Sequence, residues 1–157
     1  MLTKTIRNEP IRGARVPGKS EAAADESGPV LAANREFYRA FRRRDTEAME
    51  RLWAEAAGLV CIHPGWEALT KRSEILESWR GILESPDSPP ITCEEESVRF
   101  VGDAAIVLCT EMIGGRALVA TNVFVREGGA WRLVLHQATP TAHTLAPRKA
   151  ETPKTLH

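Results

Sequence analysis

The sequence predicts an α+β domain: three helices followed by a four-stranded antiparallel meander, with the helices packed on one side of the sheet. Three observations predict it. Apolar residues in the first half recur at helical spacing. The second half holds β-rich runs divided by "GD", "GG" and "EGGA", which are hairpin signals. All nine aromatic residues fall between Phe37 and Trp131, while six of the ten prolines lie at or before Pro29 or at or after Pro140. The folded unit is therefore 29–140, with a flexible arm at 1–28 and a flexible tail at 141–157.

The elements follow in order. In "VLAANREFYRAFRRRD", Leu31, Asn34, Phe37, Tyr38 and Phe41 fall on one helical stripe. Asp45 is placed as the N-cap of a short second helix with Met49, Leu52 and Trp53 on one face, and Gly58 stops it. "LVCIH" reads as a short strand. A third helix follows Thr70, with Ile75, Leu76, Trp79 and Leu83 inward, and "ESPDSPP" ends it. The meander is "ITCEEESVRF", "AAIVLCTEMI", "ALVATNVFVR" and "WRLVLHQAT".

Composition narrows the function. The 157 residues suit one domain, and 43% hydrophobic with 27% charged residues is ordinary for a water-soluble chain. Lys plus Arg equals Asp plus Glu at 21 each, which argues against a nucleic-acid binder acting through bulk charge. The "RRR" at 42–44 is a helix C-terminus, where positive charge opposes the dipole. Cys61, Cys93 and Cys109 are odd in number and widely spaced, so they read as buried free thiols. The histidines at 63, 136, 143 and 157 have no ligand spacing, so no metal site or cofactor is expected. "MLTKTIRNEP" has no apolar signal core, and no apolar run is long enough to span a bilayer. A cytoplasmic location, without membrane or nucleic-acid partners, is the expectation.

Hairpin arithmetic orders the side chains. With a two-residue "GG" turn at 114–115, Glu111 lies opposite Leu118 and Val107 opposite Asn122. With another at 128–129, Asn122 lies opposite Leu135 and Phe124 opposite Leu133. A tight "GD" turn would set Glu94 against Glu111, and two shielded carboxylates would raise one pKa. One face then carries Val107, Cys109, Glu111, Ala120, Asn122, Phe124, Trp131, Leu133, Leu135 and Gln137. The other carries Ile106, Leu108, Thr110, Met112, Val119, Thr121, Val123, Val134 and His136. Both are largely apolar. Helices cover one, and a second copy of the chain is the economical cover for the other.

The ordered strings "NREFYRAFRRRDTEAMERLW", "VCIHPGWEAL", "ILESWRGIL" and "TNVFVREGGAWRLVLHQATP" resemble the SnoaL-like branch of the nuclear transport factor two and ketosteroid isomerase superfamily. The resemblance covers 31–140. It implies a strongly curved sheet wrapped into a cone, a cystatin-like α+β barrel closed by helices, with a pocket at one end. It also implies homodimers through the outer sheet face, here Thr121, Val123, Val134 and His136, and it turns the Asn122 face inward. Members range from isomerases and dehydratases to kinase association domains, so the fold alone selects no reaction.

The candidate residues follow. Asn122, a strand-interior amide, is either a satisfied core residue or a ligand anchor. Glu111 and His63 are the candidate proton-transfer groups; Pro64 holds His63 extended at the end of the Leu59–Cys61 stripe. Gln137, Tyr38, Trp53, Trp66, Trp79 and Cys109 are candidate pocket walls, the aromatic ones suiting a flat ligand. The isomerase apparatus does not map: the aspartates, at 25, 45, 87 and 103, lie in arms, caps or turns. The expectation is a protein that binds a small, largely apolar molecule. The alternatives are a cofactor-independent isomerase or lyase and an association domain.

Overall fold

The computed structural model describes residues 21–55 and 58–141, with 21–25 described by backbone alone. Three helices pack on one face of a curved, open five-stranded sheet. The order in the chain is α1 (Glu21–Arg43), α2 (Thr46–Leu52), β1 (Val60–Ile62), α3 (Arg72–Glu84), β2 (Ile91–Val101), β3 (Ala104–Ile113), β4 (Arg116–Glu127) and β5 (Ala130–Pro140). The sheet order is β1-β5-β4-β3-β2. The last four strands form the expected meander, and "VCI" extends it by pairing parallel with β5, Cys61 beside His136.

Helix α1 begins earlier than the arm boundary at 28. It runs through Pro29, which has no N–H for the preceding turn. Glu26 ties this extension to the β4–β5 hairpin, accepting from Arg126 and from Trp131 Nε1 at 2.9 Å. The arm at 1–20 and the tail at 142–157 lie outside the described residues.

Local chemistry sets the helix ends. Arg44, at φ 56°, turns the chain out of α1: its N–H bonds Phe41 O at 3.0 Å and the Asp45 N–H bonds Ala40 O at 2.9 Å. Asp45 then caps α2, accepting from the Ala48 N–H at 2.8 Å as expected. That helix stops at Leu52, before Gly58, because the next residues join the sheet. Trp53 bridges Leu133, and the Ala54 N–H bonds Leu133 O at 3.0 Å.

The β3–β4 register is the one the "GG" turn requires: Glu111 opposite Leu118, Val107 opposite Asn122. Two β-bulges change the others. Between Glu94 and Ser97 the β2–β3 register slips, so Cys93, not Glu94, faces Glu111. The expected carboxylate pair is absent for that reason. Between Val123 and Phe124 the β4–β5 register slips, so Asn122 opposes His136, not Leu135. A one-residue slip exchanges faces. His136 therefore turns inward and is buried, whereas Gln137 is exposed.

The core fills the space between helices and sheet. Val30, Phe37 and Phe41 of α1, Met49 and Trp53, and Ile75, Trp79 and Leu83 of α3 meet Val107, Ala120, Phe124 and Leu133 of the sheet.

Candidate functional site

Burial in this core favours hydrocarbon, so the polar groups inside it are the informative ones. Asn34 and Tyr38 project from one stripe of α1 toward the sheet. Glu111, Asn122 and His136 meet them from β3, β4 and β5. Glu111 is 1% exposed, Asn34 and Asn122 are 0%, and His136 is 3%.

The groups form one hydrogen-bonded chain. Asn34 Nδ2 donates to Glu96 Oε1 at 2.8 Å, and Glu96 accepts from the exposed Arg35 at 2.7 Å. Asn122 Nδ2 donates to Asn34 Oδ1 at 2.7 Å and to Tyr38 Oη at 3.3 Å. Asn122 Oδ1 lies 2.7 Å from His136 Nδ1. A carbonyl oxygen only accepts, so this hydrogen-bond pattern assigns the His136 proton to Nδ1. Tyr38 Oη donates to Glu111 Oε1 at 2.8 Å and lies 3.1 Å from Cys109 Sγ. Asn122 is thus fully satisfied, and it is also the junction of the network.

Electrostatics follow from burial. Desolvation raises the Glu111 carboxyl to about 7, against the lowering effect of the Tyr38 hydroxyl. The carboxyl therefore changes charge near neutral pH. Burial, with the Glu111 charge beside it, pushes the Tyr38 phenol far up, so it acts only as a neutral donor or acceptor. Burial holds His136 down to about 3, with His63 adding to the effect.

His63 belongs to a neighbouring aromatic corner. Its ring packs 4.7 Å from Trp79 and 4.9 Å from Trp66. Its Nε2 lies 2.9 Å from Ser78 Oγ and 3.7 Å from Cys61 Sγ. Ser78 Oγ spends its proton on Ile75 O at 2.7 Å, so His63 Nε2 is the donor in that pair. Burial lowers His63 to about 4. It is a neutral, packed imidazole, not a base aimed at Glu111.

The structure therefore brings together Tyr38, Cys109, Glu111 and Asn122 from the expected set. Trp53 and Trp79 are buried beside them, each with an indole N–H that finds no partner among the described residues. Trp66 is 51% exposed and lies outside the core. Gln137, carried outward by the bulge, donates to Thr139 Oγ1 at 3.2 Å. Cys93 is only half-buried, unlike the other two thiols. Two of its buried members, Asn34 and His136, were not in the expected site. Asn34 sat in plain view as the one amide of an apolar helical stripe. His136 was legible only to a reading that foresaw the β-bulge.

The largest fully buried side chains between helices and sheet are Trp53, Phe37, Phe124 and Met49. A cleft of about 120 Å³ lies elsewhere, at the C-terminal ends of α1 and α3, beside Phe41, Arg44 and Pro89. Among the described residues no three His, Cys, Asp or Glu side chains converge as a metal site, and no helix is long and apolar enough to cross a membrane.

Comparison with known proteins adds four observations. The model of the SnoaL-like domain matches residues 30–142. A crystal structure from Streptomyces avermitilis, assigned as a candidate dehydratase of the nuclear transport factor two-like family, is 32% identical; the match covers 76% of this chain and 99% of that one, with a TM-score of 0.70. A candidate calcium/calmodulin-dependent protein kinase type II association domain from Thiobacillus denitrificans is 30% identical over 71% of this chain and 94% of that one, with a TM-score of 0.64. The F-box protein SKIP8 of Arabidopsis thaliana is 27% identical over 112 residues, 70% of this chain; the chain spans about half, 48%, of that curated relative.

Proposed function

The chain belongs to the SnoaL-like domain family, and from that premise we propose that it binds a small, largely apolar molecule inside the cone, with the buried polar network as its handle. One observation carries this reading: Asn34, Tyr38, Glu111, Asn122 and His136 occupy an interior that hydrocarbon would fill more cheaply. Ring-bearing walls from Phe37, Trp53, Trp79 and Phe124 surround it. A ligand would enter by displacing wall side chains, and its polar group would replace one of the present partners of Tyr38 or Asn122.

A second reading is favoured by Glu111. A carboxyl that titrates near 7 beside a neutral phenol suits proton transfer, and a structural relative is assigned as a candidate dehydratase. The chain would then be a cofactor-independent isomerase or lyase with Glu111 as base and Tyr38 as hydrogen-bond donor to the reacting oxygen. His63, the other candidate for that step, is engaged through Nε2 with Ser78 Oγ and is made a weak base by burial. Self-association through the outer sheet face, now without His136, accompanies either reading.

Native mass spectrometry of the full chain as purified, with stepwise activation, tests the first reading. A small adduct that leaves on activation, and is lost in Asn122→Ala, is the expected result. No adduct from the purified chain, together with no thermal shift across a panel of ring-bearing apolar compounds, would sink it. Glu111→Gln separates the two: retained binding with lost turnover of the bound compound favours the enzyme.

A further inference from the structure

Arg44 keeps a side chain where the backbone favours none. Its φ is 56°, at the position after a helix where glycine is usual. Such an outlier persists only where its surroundings hold it. Its guanidinium reaches from the end of α1 to the end of α3 and the turn beyond. There Nη1 donates to Leu83 O at 3.2 Å and to Ser85 O, and Nη2 donates to Ser88 O at 3.4 Å. A guanidinium carries five N–H donors. Three are thus spent on neutral carbonyls, which leave the positive charge uncancelled. The other two, Nε–H and one on Nη2, have no partner among the described residues. They lie on the side edge of the fork, which a carboxylate can grip with both oxygens.

Arg44 lines the cleft of about 120 Å³, with Phe41, Ile82, Leu83 and Pro89 as apolar walls and Arg42 as a second cation. Neither arginine has an ion-pair partner among the described residues. The adjacent Asp45 is engaged by the Ala48 N–H, and Glu84 and Asp87 are exposed. The C-terminal ends of α1 and α3 each bring about half a negative charge, which the three arginines at 42–44 outweigh. An enclosed apolar cavity of about 150 Å³ takes benzene. A slightly smaller cleft open to water has room for one ring with its polar substituent at the mouth. We propose that this cleft binds a small ring-bearing carboxylate of benzoate size, with the ring against the apolar walls and the carboxylate on the open edge of Arg44, Arg42 beside it. No Lys or Arg is buried among the described residues, so such an anion has no cation to meet inside the cone. The site is separate from the Glu111–Asn122 network and does not depend on a ligand there.

The test is a titration of the full chain with benzoate, followed by nuclear magnetic resonance of the Ile82 and Leu83 methyl groups and the Arg44 Nε–H. It needs no variant. In the wild type these signals should move together and saturate, with a dissociation constant at or below about 1 mM, and binding should weaken as salt rises. Benzyl alcohol has the ring without the charge, and acetate has the charge without the ring. Each should bind at least about 10-fold more weakly. Arg44→Lys keeps the charge but loses the fork, and should also weaken benzoate by about 10-fold or more. Arg42 is exposed and makes no bond to the fold, so Arg42→Gln should weaken benzoate with an unchanged unfolding midpoint. No saturable movement up to about 10 mM benzoate, or benzyl alcohol binding as tightly, would overturn the site. So would undiminished binding by Arg44→Lys, or movement centred on Leu118 and Phe124, which would put benzoate in the cone.

Discussion

Glu111 carries a carboxyl to a place where charge is costly, and the cost is readable as pH dependence. Its pKa rises from the usual 4.5 to about 7 on folding, chiefly by desolvation. A raised carboxyl contributes stability that is full below 4.5 and is lost as pH rises through 7. The difference corresponds to about 3 kcal/mol. Glu111→Gln keeps the shape and an acceptor for Tyr38 but cannot ionise. Its stability relative to wild type should therefore grow by about that amount between pH 4.5 and pH 8, read by urea unfolding at both ends. A difference that stays flat with pH would mean that Glu111 is solvated in the folded state. The two buried histidines act in the opposite sense. Burial lowers them from 6.5 to about 4 at His63 and about 3 at His136, so the stability they contribute is full above 6.5 and drains as pH falls toward those values. Between 4.5 and 6.5 the unfolded chain takes up roughly two protons on histidine while the folded chain keeps one more on Glu111. Wild-type stability should fall with acidification by about 1.4 kcal/mol per pH unit in that window, and Glu111→Gln should fall about twice as steeply. Equal slopes for the two proteins would contradict this account.

Elements were legible where turn chemistry or period dictates them, and illegible where a bulge intervenes. The "GG" at 114–115 placed every β3–β4 partner, because two left-handed glycines between β-rich runs leave one register. The N-cap at Asp45 and the inward stripe of α3 followed from equally local rules. The bulge at Val123/Phe124 has no glycine to announce it. It is driven by packing, since it brings both Leu133 and His136 inward and lets Asn122 find an imidazole. That placed Leu135, His136 and Gln137 on the wrong faces, although the inner sets of β3 and β4 were right. The bulge in β2 is visible in the backbone as Glu95 at φ 54°, a left-handed conformation that a side chain adopts at a cost of about 1–2 kcal/mol. Glycine escapes that cost but gives up about 0.5–1 kcal/mol of chain entropy. Glu95→Gly should therefore raise stability by about 0.5–1 kcal/mol in urea unfolding at neutral pH. A loss would show that the contact between Glu95 and Thr110, at 3.5 Å, outweighs the strain.

At the scale of the whole molecule, one sheet face is closed by three helices and the other presents hydrocarbon to water. Leu108 is 40% exposed and Val119 46%, and both lie on the outer side of β3 and β4 with Ile106, Thr121 and Val123. Edge pairing is discouraged at β2, where Glu94 and Glu95 are exposed on the outermost strand. The middle of this face has no such protection, so face-to-face contact is the remaining route to cover it. A twofold dimer buries the same patch on both copies, and a stable one needs about 800 Å² from each. Under the proposed self-association, the wild type should sediment as a dimer at micromolar concentration. Val119→Lys sets two like charges near the twofold axis, where each would be buried unpaired, and should weaken association by at least about 100-fold. Because Val119 is half-exposed in the single chain, its far-ultraviolet circular dichroism and unfolding midpoint should barely change. A wild type that stays monomeric across that range would show that water tolerates this face unaided. A Val119→Lys dimer of undiminished strength would move the interface to another surface, and the outer valines would then need no partner to explain them.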